Sequence, residues 1–190
     1  MIEDWFHERI KMDIGPERYN HSLGVMETSI KLAKVYGCDE EKARIAGFLH
    51  DCAKIRDKRN LLKMACDFGI ILDNVMKYNI ELIHGPLGAK IAEKVYHISD
   101  KEILSAIYYH TTGKENMSLL EKIIYIADYI EPNRDFNGVA ELRDLAYIDI
   151  DRCLILAMDN TIKYVVDRGG LIHLNTVMAR NYLKIEKDLE

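Results

Sequence analysis

Apolar residues in this chain recur three and four positions apart along almost its whole length, and no alternating run of strand length competes with that period. Between Glu17 and Tyr36 they fall at Tyr19, Leu23, Met26, Ile30 and Ala33, one continuous face of a helix. Only three prolines interrupt the pattern, and Gly15, Gly37, Gly69 and Gly169-Gly170 mark boundaries in it. Gly15-Pro16 separates a first helix, Asp4 to Ile14, from the second, which Gly37 ends. Asp39 is placed to cap a third helix running to about Ala53, and a fourth, Lys58 to Phe68, stops at Gly69. Pro86 opens a helix to about Tyr96. Ser99 to Glu102 and Ser118 to Glu121 both have the S-x-x-E form of a capping box ahead of an apolar period, the second ending at Glu131-Pro132. Two helices follow from Val139 to Asp167 with a break near Asp149, and Asn175 caps a last one. Only Ile70 to His84 lacks a period. The expectation is an all-α protein with a single domain over residues 1–190.

Composition narrows the class. The 190 residues carry 26 Lys plus Arg against 31 Asp plus Glu, a net charge of −5, with 48 % hydrophobic and 30 % charged residues. That is a globular composition, and its sign argues against nucleic acid or an anionic membrane as partner. No apolar run approaches the roughly 20 residues that span a bilayer. Met1 to His7 has neither a basic nor an apolar leader segment, so secretion by a cleaved signal is not expected. Cys38, Cys52, Cys66 and Cys153 form no C-x-x-C pair and read as reduced, mostly buried thiols of a cytoplasmic protein.

Of seven histidines, His7 and His97 lie in charged or mixed sequence and read as surface residues. His50, followed at once by Asp51, has Ala43, Ala46 and Gly47 on its face, a small-residue stripe that lets a neighbouring helix approach. His21 lies at the edge of the second helix's apolar face. Asp128 sits in Ile123 to Ile130, whose other members are all apolar or aromatic. A carboxylate buried there alone costs several kcal/mol unless a cation or donor accompanies it. Two imidazoles and two carboxylates form a donor set suited to iron, manganese, cobalt or magnesium. The residues leave alternatives open. A histidine on an apolar helix face is commonly a hydrogen-bonded core residue, and Asp128 can equally pair with an arginine.

The order His21, His50-Asp51, Asp128 resembles the H…HD…D signature of the HD-domain metal-dependent phosphohydrolases. The match is closer to their YqeK branch, the symmetrical diadenosine tetraphosphate hydrolases. It is carried by Arg18-Tyr19-x-His21-Ser22-x-Gly24-Val25, Ala46-Gly47-x-Leu49-His50-Asp51-x-Ala53-Lys54 and His84-Gly85-Pro86-x-Gly88-Ala89. It continues in Ile107-x-Tyr109-His110-Thr111-Thr112-Gly113, Ala127-Asp128-Tyr129-Ile130-Glu131-Pro132-x-Arg134, Ile172-His173-x-Asn175-Thr176 and Ala179-Arg180-Asn181. These blocks span residues 18–181. Cys52 and Leu174 depart from the family pattern, the latter standing where a proline is frequent.

The resemblance implies an HD-domain helical bundle with its metal-site core at about 18–134 and helices 139–190 packed on it. It implies one or two divalent ions, iron foremost, held by His21, His50, Asp51 and Asp128, with His84 and His110 completing a second position or contacting phosphate. The implied reaction is hydrolysis of diadenosine tetraphosphate (Ap4A) to two ADP, with Asp51, Lys54, His84 and His110 in catalytic roles. Substrate contacts are expected from Arg18, His21, Gly24, Asp51, His84, Tyr109, His110 and Arg134. Gly24 is expected to leave room for sugar or phosphate, and Gly170, Leu171, Ile172, His173, Leu174 and Asn175 to meet adenine or ribose. Lys54, three residues after Asp51, is expected on the same helix face. Two readings compete: hydrolysis of another nucleotide, or a nucleotide-binding regulatory module. Trp5, Phe6 and Ile10 either cap the core or make the contact of a homodimer.

Overall fold

The computed structural model describes residues 2, 4–55 and 58–189; Met1 and Glu3 of the segment read for a leader, Arg56, Asp57, Glu190, and the side chains of Lys58, Arg59 and Asp188 lie outside that description. Every regular element among the described residues is helical. α1 (Asp4–Ile14) buries Phe6, Ile10 and Ile14 against the rest of the molecule. Trp5, 40 % exposed, stacks on Tyr96 with ring centroids 5.5 Å apart. α2 (Pro16–Tyr36) begins on its proline, whose fixed φ and missing N–H suit a first turn, and ends at Gly37 with φ 71°.

In α3 (Glu40–Leu49) the Asp39 carboxylate caps the N–H groups of Glu41 and Lys42. This helix stops four residues before the expected Ala53. His50 Nδ1 takes the Gly47 carbonyl at 2.7 Å, and the chain continues through three-residue turns from Cys52 to Leu49 and from Lys54 to Asp51. Lys54 therefore does not share a helix face with Asp51. After α4 (Lys58–Asp67), the stretch without a period contains α5 (Asn74–Tyr78), capped by Asp73, and a 3-10 turn (Ile80–Ile83), capped by Asn79. Such short pieces leave no apolar repeat to read.

α6 (His84–Lys94) starts two residues ahead of Pro86. In α7 (Lys101–Tyr109) the cap is Asp100 rather than Ser99: its carboxylate accepts from Glu102 and Ile103. In α8 (Leu119–Ile130) the Ser118 to Glu121 capping box is made in both directions. α9 (Val139–Ala146) and α10 (Ile150–Asp167) are divided at the Asp149 cap. α11 (Leu174–Leu189) begins one residue before Asn175, and the acceptor for the Asn175 N–H is the His173 ring, not the asparagine itself.

The core lies among α2, α3, α7 and α8, where Leu32, Phe48, Leu49, Ile107, Ile123 and Ile126 are fully buried. Gly47 sets the spacing of α2 and α3: a Cβ there would stand 2.7 Å from Ser29 Oγ and 3.0 Å from the Met26 backbone. α10 packs on α8, and α11 on α10. Among the described residues no helix is long and apolar enough to cross a membrane.

Candidate metal centre

Five segments deliver side chains to one buried point. α2 supplies His21, the turn after α3 supplies His50 and Asp51, and His84 stands where the 3-10 turn passes into α6. His110 follows α7, and the last turns of α8 supply Asp128 and Glu131. His21, His50, Asp51, His84 and His110 are all 9 % exposed or less. His21 Nε2 lies 3.2 Å from His50 Nε2 and 3.0 Å from Asp128 Oδ1. Asp51 turns one oxygen to each half of the group. Its Oδ2 is 3.7 Å from His50 Nε2 and 3.8 Å from His21 Nε2, while Oδ1 is 3.4 Å from His84 Nε2 and 3.6 Å from His110 Nε2. Among the described residues, three triads have ligand atoms within 4.8 Å of one another: His21-His50-Asp51, His50-His110-Asp128 and Asp51-His84-His110.

The Nδ1 atoms explain this orientation. His50 donates to the Gly47 carbonyl, His84 to that of Glu81 and His110 to that of Ile107, each three residues back at the end of a helix or turn. His21 donates its Nδ1 proton to Glu131 Oε1 at 3.0 Å. Every Nδ1 proton is thus committed, and every Nε2 presents a lone pair inward. His84 Nε2 and His110 Nε2 are 2.9 Å apart, with Thr111 Oγ1 at 2.9 and 3.0 Å. Two lone pairs at that separation need a cation or a proton between them.

Protons are poor candidates for most of these places. Burial lowers the His50 pKa to about 4 and that of His84 to about 3, against the attraction of Asp51. At His21 burial also opposes charge, but Asp128, Glu131 and Asp51 outweigh it and raise the pKa. Burial opposes ionisation of Asp51 and Asp128 too, yet the surrounding histidines, and Arg134 at Asp128, hold both well below the carboxylate range. Neutral imidazoles and ionised carboxylates arranged this way fit a divalent cation.

Basic side chains sit at the rim. Arg18 donates to Asp51 Oδ2 at 3.0 Å, and Arg134 to Asp128 Oδ1 at 2.6 Å and to the Asp128 carbonyl at 2.9 Å. Lys54 Nζ lies 3.5 Å from Glu81 Oε2. Gly24 does not leave the expected room for substrate: a Cβ there would stand 2.5 Å from Glu131 Oε2, so Glu131 occupies that space. Tyr109 lines a cavity of about 470 Å³ with Pro86, Lys90, Ser105 and Tyr108. Gly170, Leu171 and Leu174 are exposed, Ile172 and Asn175 half-buried and His173 buried, in and just after the segment entering α11. His7 is not a free surface residue, since it meets the Tyr19 hydroxyl at 3.0 Å and packs on Phe48. All four cysteines are free; Cys52 and Cys153 are buried, Cys38 is intermediate and Cys66 is exposed.

Glu131 and Thr111 had no place in the set inferred from sequence. Glu131 is 1 % exposed and also accepts from the backbone and side chain of Asn133. Its spacing, three residues after Asp128, is the available signal, and its place as the C-cap of α8 ahead of Pro132 obscures it.

Known proteins resemble this chain. The model of the HD domain matches residues 18–133. The symmetrical bis(5'-nucleosyl)-tetraphosphatase of Halalkalibacterium halodurans is 42 % identical over 178 residues, 94 % of this chain and 95 % of that protein. Its namesake in Bacillus subtilis is 40 % identical over 174 residues, 92 % and 93 % of the two chains. A crystal structure described as a predicted HD superfamily hydrolase involved in NAD metabolism, from Clostridium acetobutylicum, superposes with a TM-score of 0.94. It has 48 % sequence identity, over 98 % of each chain.

Proposed function

Because the chain belongs to the HD-domain family and aligns over nearly its whole length with symmetrical bis(5'-nucleosyl)-tetraphosphatases, we propose that it hydrolyses Ap4A at the central phosphoanhydride to give two ADP. The observation that carries this reading is the convergence of four imidazole Nε2 atoms on the two oxygens of Asp51. In this reading His21, His50, Asp51 and Asp128 hold a divalent ion, iron by preference, and Asp51, His84 and His110 offer a second position beside it. A divalent ion held by these residues would supply Lewis-acid chemistry, withdrawing charge from a phosphoryl oxygen and lowering the pKa of water.

The remaining roles follow from the side chains themselves. A phosphate oxygen seeks a hydrogen-bond donor, whereas His84 and His110 present Nε2 lone pairs because their Nδ1 protons are taken. That favours ligation over phosphate contact for both. Asp51, held ionised by the surrounding histidines, is available as a ligand but is a weak proton acceptor, which favours ligation over a general-base role. Arg18 and Arg134 each already hold a ligand carboxylate and supply the positive charge that four phosphates require inside an acidic protein. Lys54 adds a further cation beside the 3-10 turn. A reducing, cytoplasmic setting suits the four free thiols.

Product analysis tests the reading. Iron-loaded protein given Ap4A should release ADP alone; AMP with ATP, or absence of turnover, would contradict it.

A further inference from the structure

The segment that has no apolar period carries a bridge between two distant parts of the chain. Asp73 caps α5 through Oδ1, which accepts the Met76 N–H at 2.8 Å. Its other oxygen lies 2.7 Å from His173 Nε2. His173 Nδ1 accepts the Asn175 N–H at 3.2 Å, so the ring proton resides on Nε2 and is donated to Asp73. One hydrogen bond thus joins the cap of α5 to the cap of α11. A further tie runs from Thr176 Oγ1 to the Thr112 carbonyl at 2.9 Å, two residues beyond His110.

The two joined segments wall a cavity of about 320 Å³. Tyr78 and Asn79 form one side, Gly170 and Leu171 the other, with Tyr164 and Arg168 between them. Tyr78 and Tyr164 are 74 % and 58 % exposed, and the Arg168 guanidinium stands 4.6 Å from the Tyr164 ring centroid. Open aromatic faces, an amide and a stacked guanidinium match the flat rings and polar edges of a nucleobase. Asp73 and His173 stand beside the cavity, and their bond ties the segment that carries the Tyr78 wall to the segment that carries the Gly170-Leu171 wall.

We propose that Asp73 is a positioning residue: acting through His173, it latches the Tyr78 wall to the Gly170-Leu171 wall and so sets the width of a nucleobase cavity. The inference rests on the dinucleotide reading above, since it assigns one base of that substrate to this cavity. Without the latch the cavity must be assembled at the moment of binding, which weakens affinity and leaves the chemistry intact.

The test is Asp73→Ser in the metal-loaded protein. Serine keeps a capping oxygen for α5 but is too short to reach His173. ADP binding by calorimetry should weaken about tenfold, and the KM for Ap4A should rise by a similar factor. The kcat should stay within about twofold and the Tm within about 2 °C. His173→Asn, which also keeps a capping side chain, should give no additional loss of ADP affinity when combined with Asp73→Ser. Unchanged ADP affinity, losses that multiply in the double variant, or a fall in Tm and kcat together would overturn the latch. Wild-type protein that binds ADP but fails to convert Ap4A to ADP would instead overturn the proposed function, while the ADP comparison still decides the latch.

Discussion

His50, His84 and His110 each stand just past a helix or turn and return a proton to the carbonyl three residues back. That repeated local bond, rather than a contact between the rings, aims three Nε2 atoms at one point. The HD pair and Asp128 were legible as residues because a buried histidine next to an aspartate, and an aspartate in an apolar tract, are costly without a partner. The orienting group of His21 was not, because Glu131 reaches it across the space left by Gly24. Glu131→Ala should lower metal affinity roughly 10–100-fold by leaving His21 Nδ1 without an acceptor, as read by chelator competition. Unchanged affinity would remove Glu131 from the site. Asp128→Ala should abolish metal retention and turnover together, because it deletes an inward-facing oxygen and frees Arg134. Full metal content with full rate in that variant would refute its role as a ligand.

Elements were legible where a single competitor decided a boundary. Ser118 has no rival and makes its capping box, whereas Ser99 loses to Asp100, a carboxylate one residue closer to the helix. α3 was expected to continue through the HD pair because the period continues, but the His50 ring takes the carbonyl that the Asp51 N–H would have used. The small-residue stripe on α3 behaves as its composition suggests. Gly47→Val should destabilise the fold by roughly 1–3 kcal/mol, since a branched side chain would press on Ser29 and the α2 backbone. Chemical denaturation checks this; a variant as stable as the parent would mean that α2 and α3 can separate without loss.

At the scale of the molecule, the net charge of −5 conceals a local arrangement in which Asp51, Asp128 and Glu131 face four imidazoles, with Arg18 and Arg134 beside them. The acidic excess argues against a polyanionic surface as partner and is no obstacle to a small anion bound at a cation. The metal-free protein should lose stability in acid. In the unfolded chain His50 and His84 take up protons near pH 6.5, but in the fold only at about 4 and about 3. Unfolding therefore gains protons as pH falls through that window, a cost of a few kcal/mol, and the depressed Asp51 and Asp128 add to it at lower pH. His21 works the other way: its raised pKa contributes stability that is present below about 6.5 and lost as pH rises through its folded value. With two histidines against one, the Tm of chelator-treated protein should be lower at pH 5 than at pH 7. A higher Tm at pH 5 would contradict the neutral, lone-pair-inward state of His50 and His84.

The central claim is that the buried histidines and aspartates form a metal centre that performs the hydrolysis. Titrating ferrous ion into chelator-treated protein under anaerobic conditions, while following both bound metal and ADP released from Ap4A, tests it most directly. ADP production should be absent from the metal-free protein and rise in proportion to the ion bound, with no AMP or ATP at any point. Full ADP production by protein with no detectable metal would contradict it.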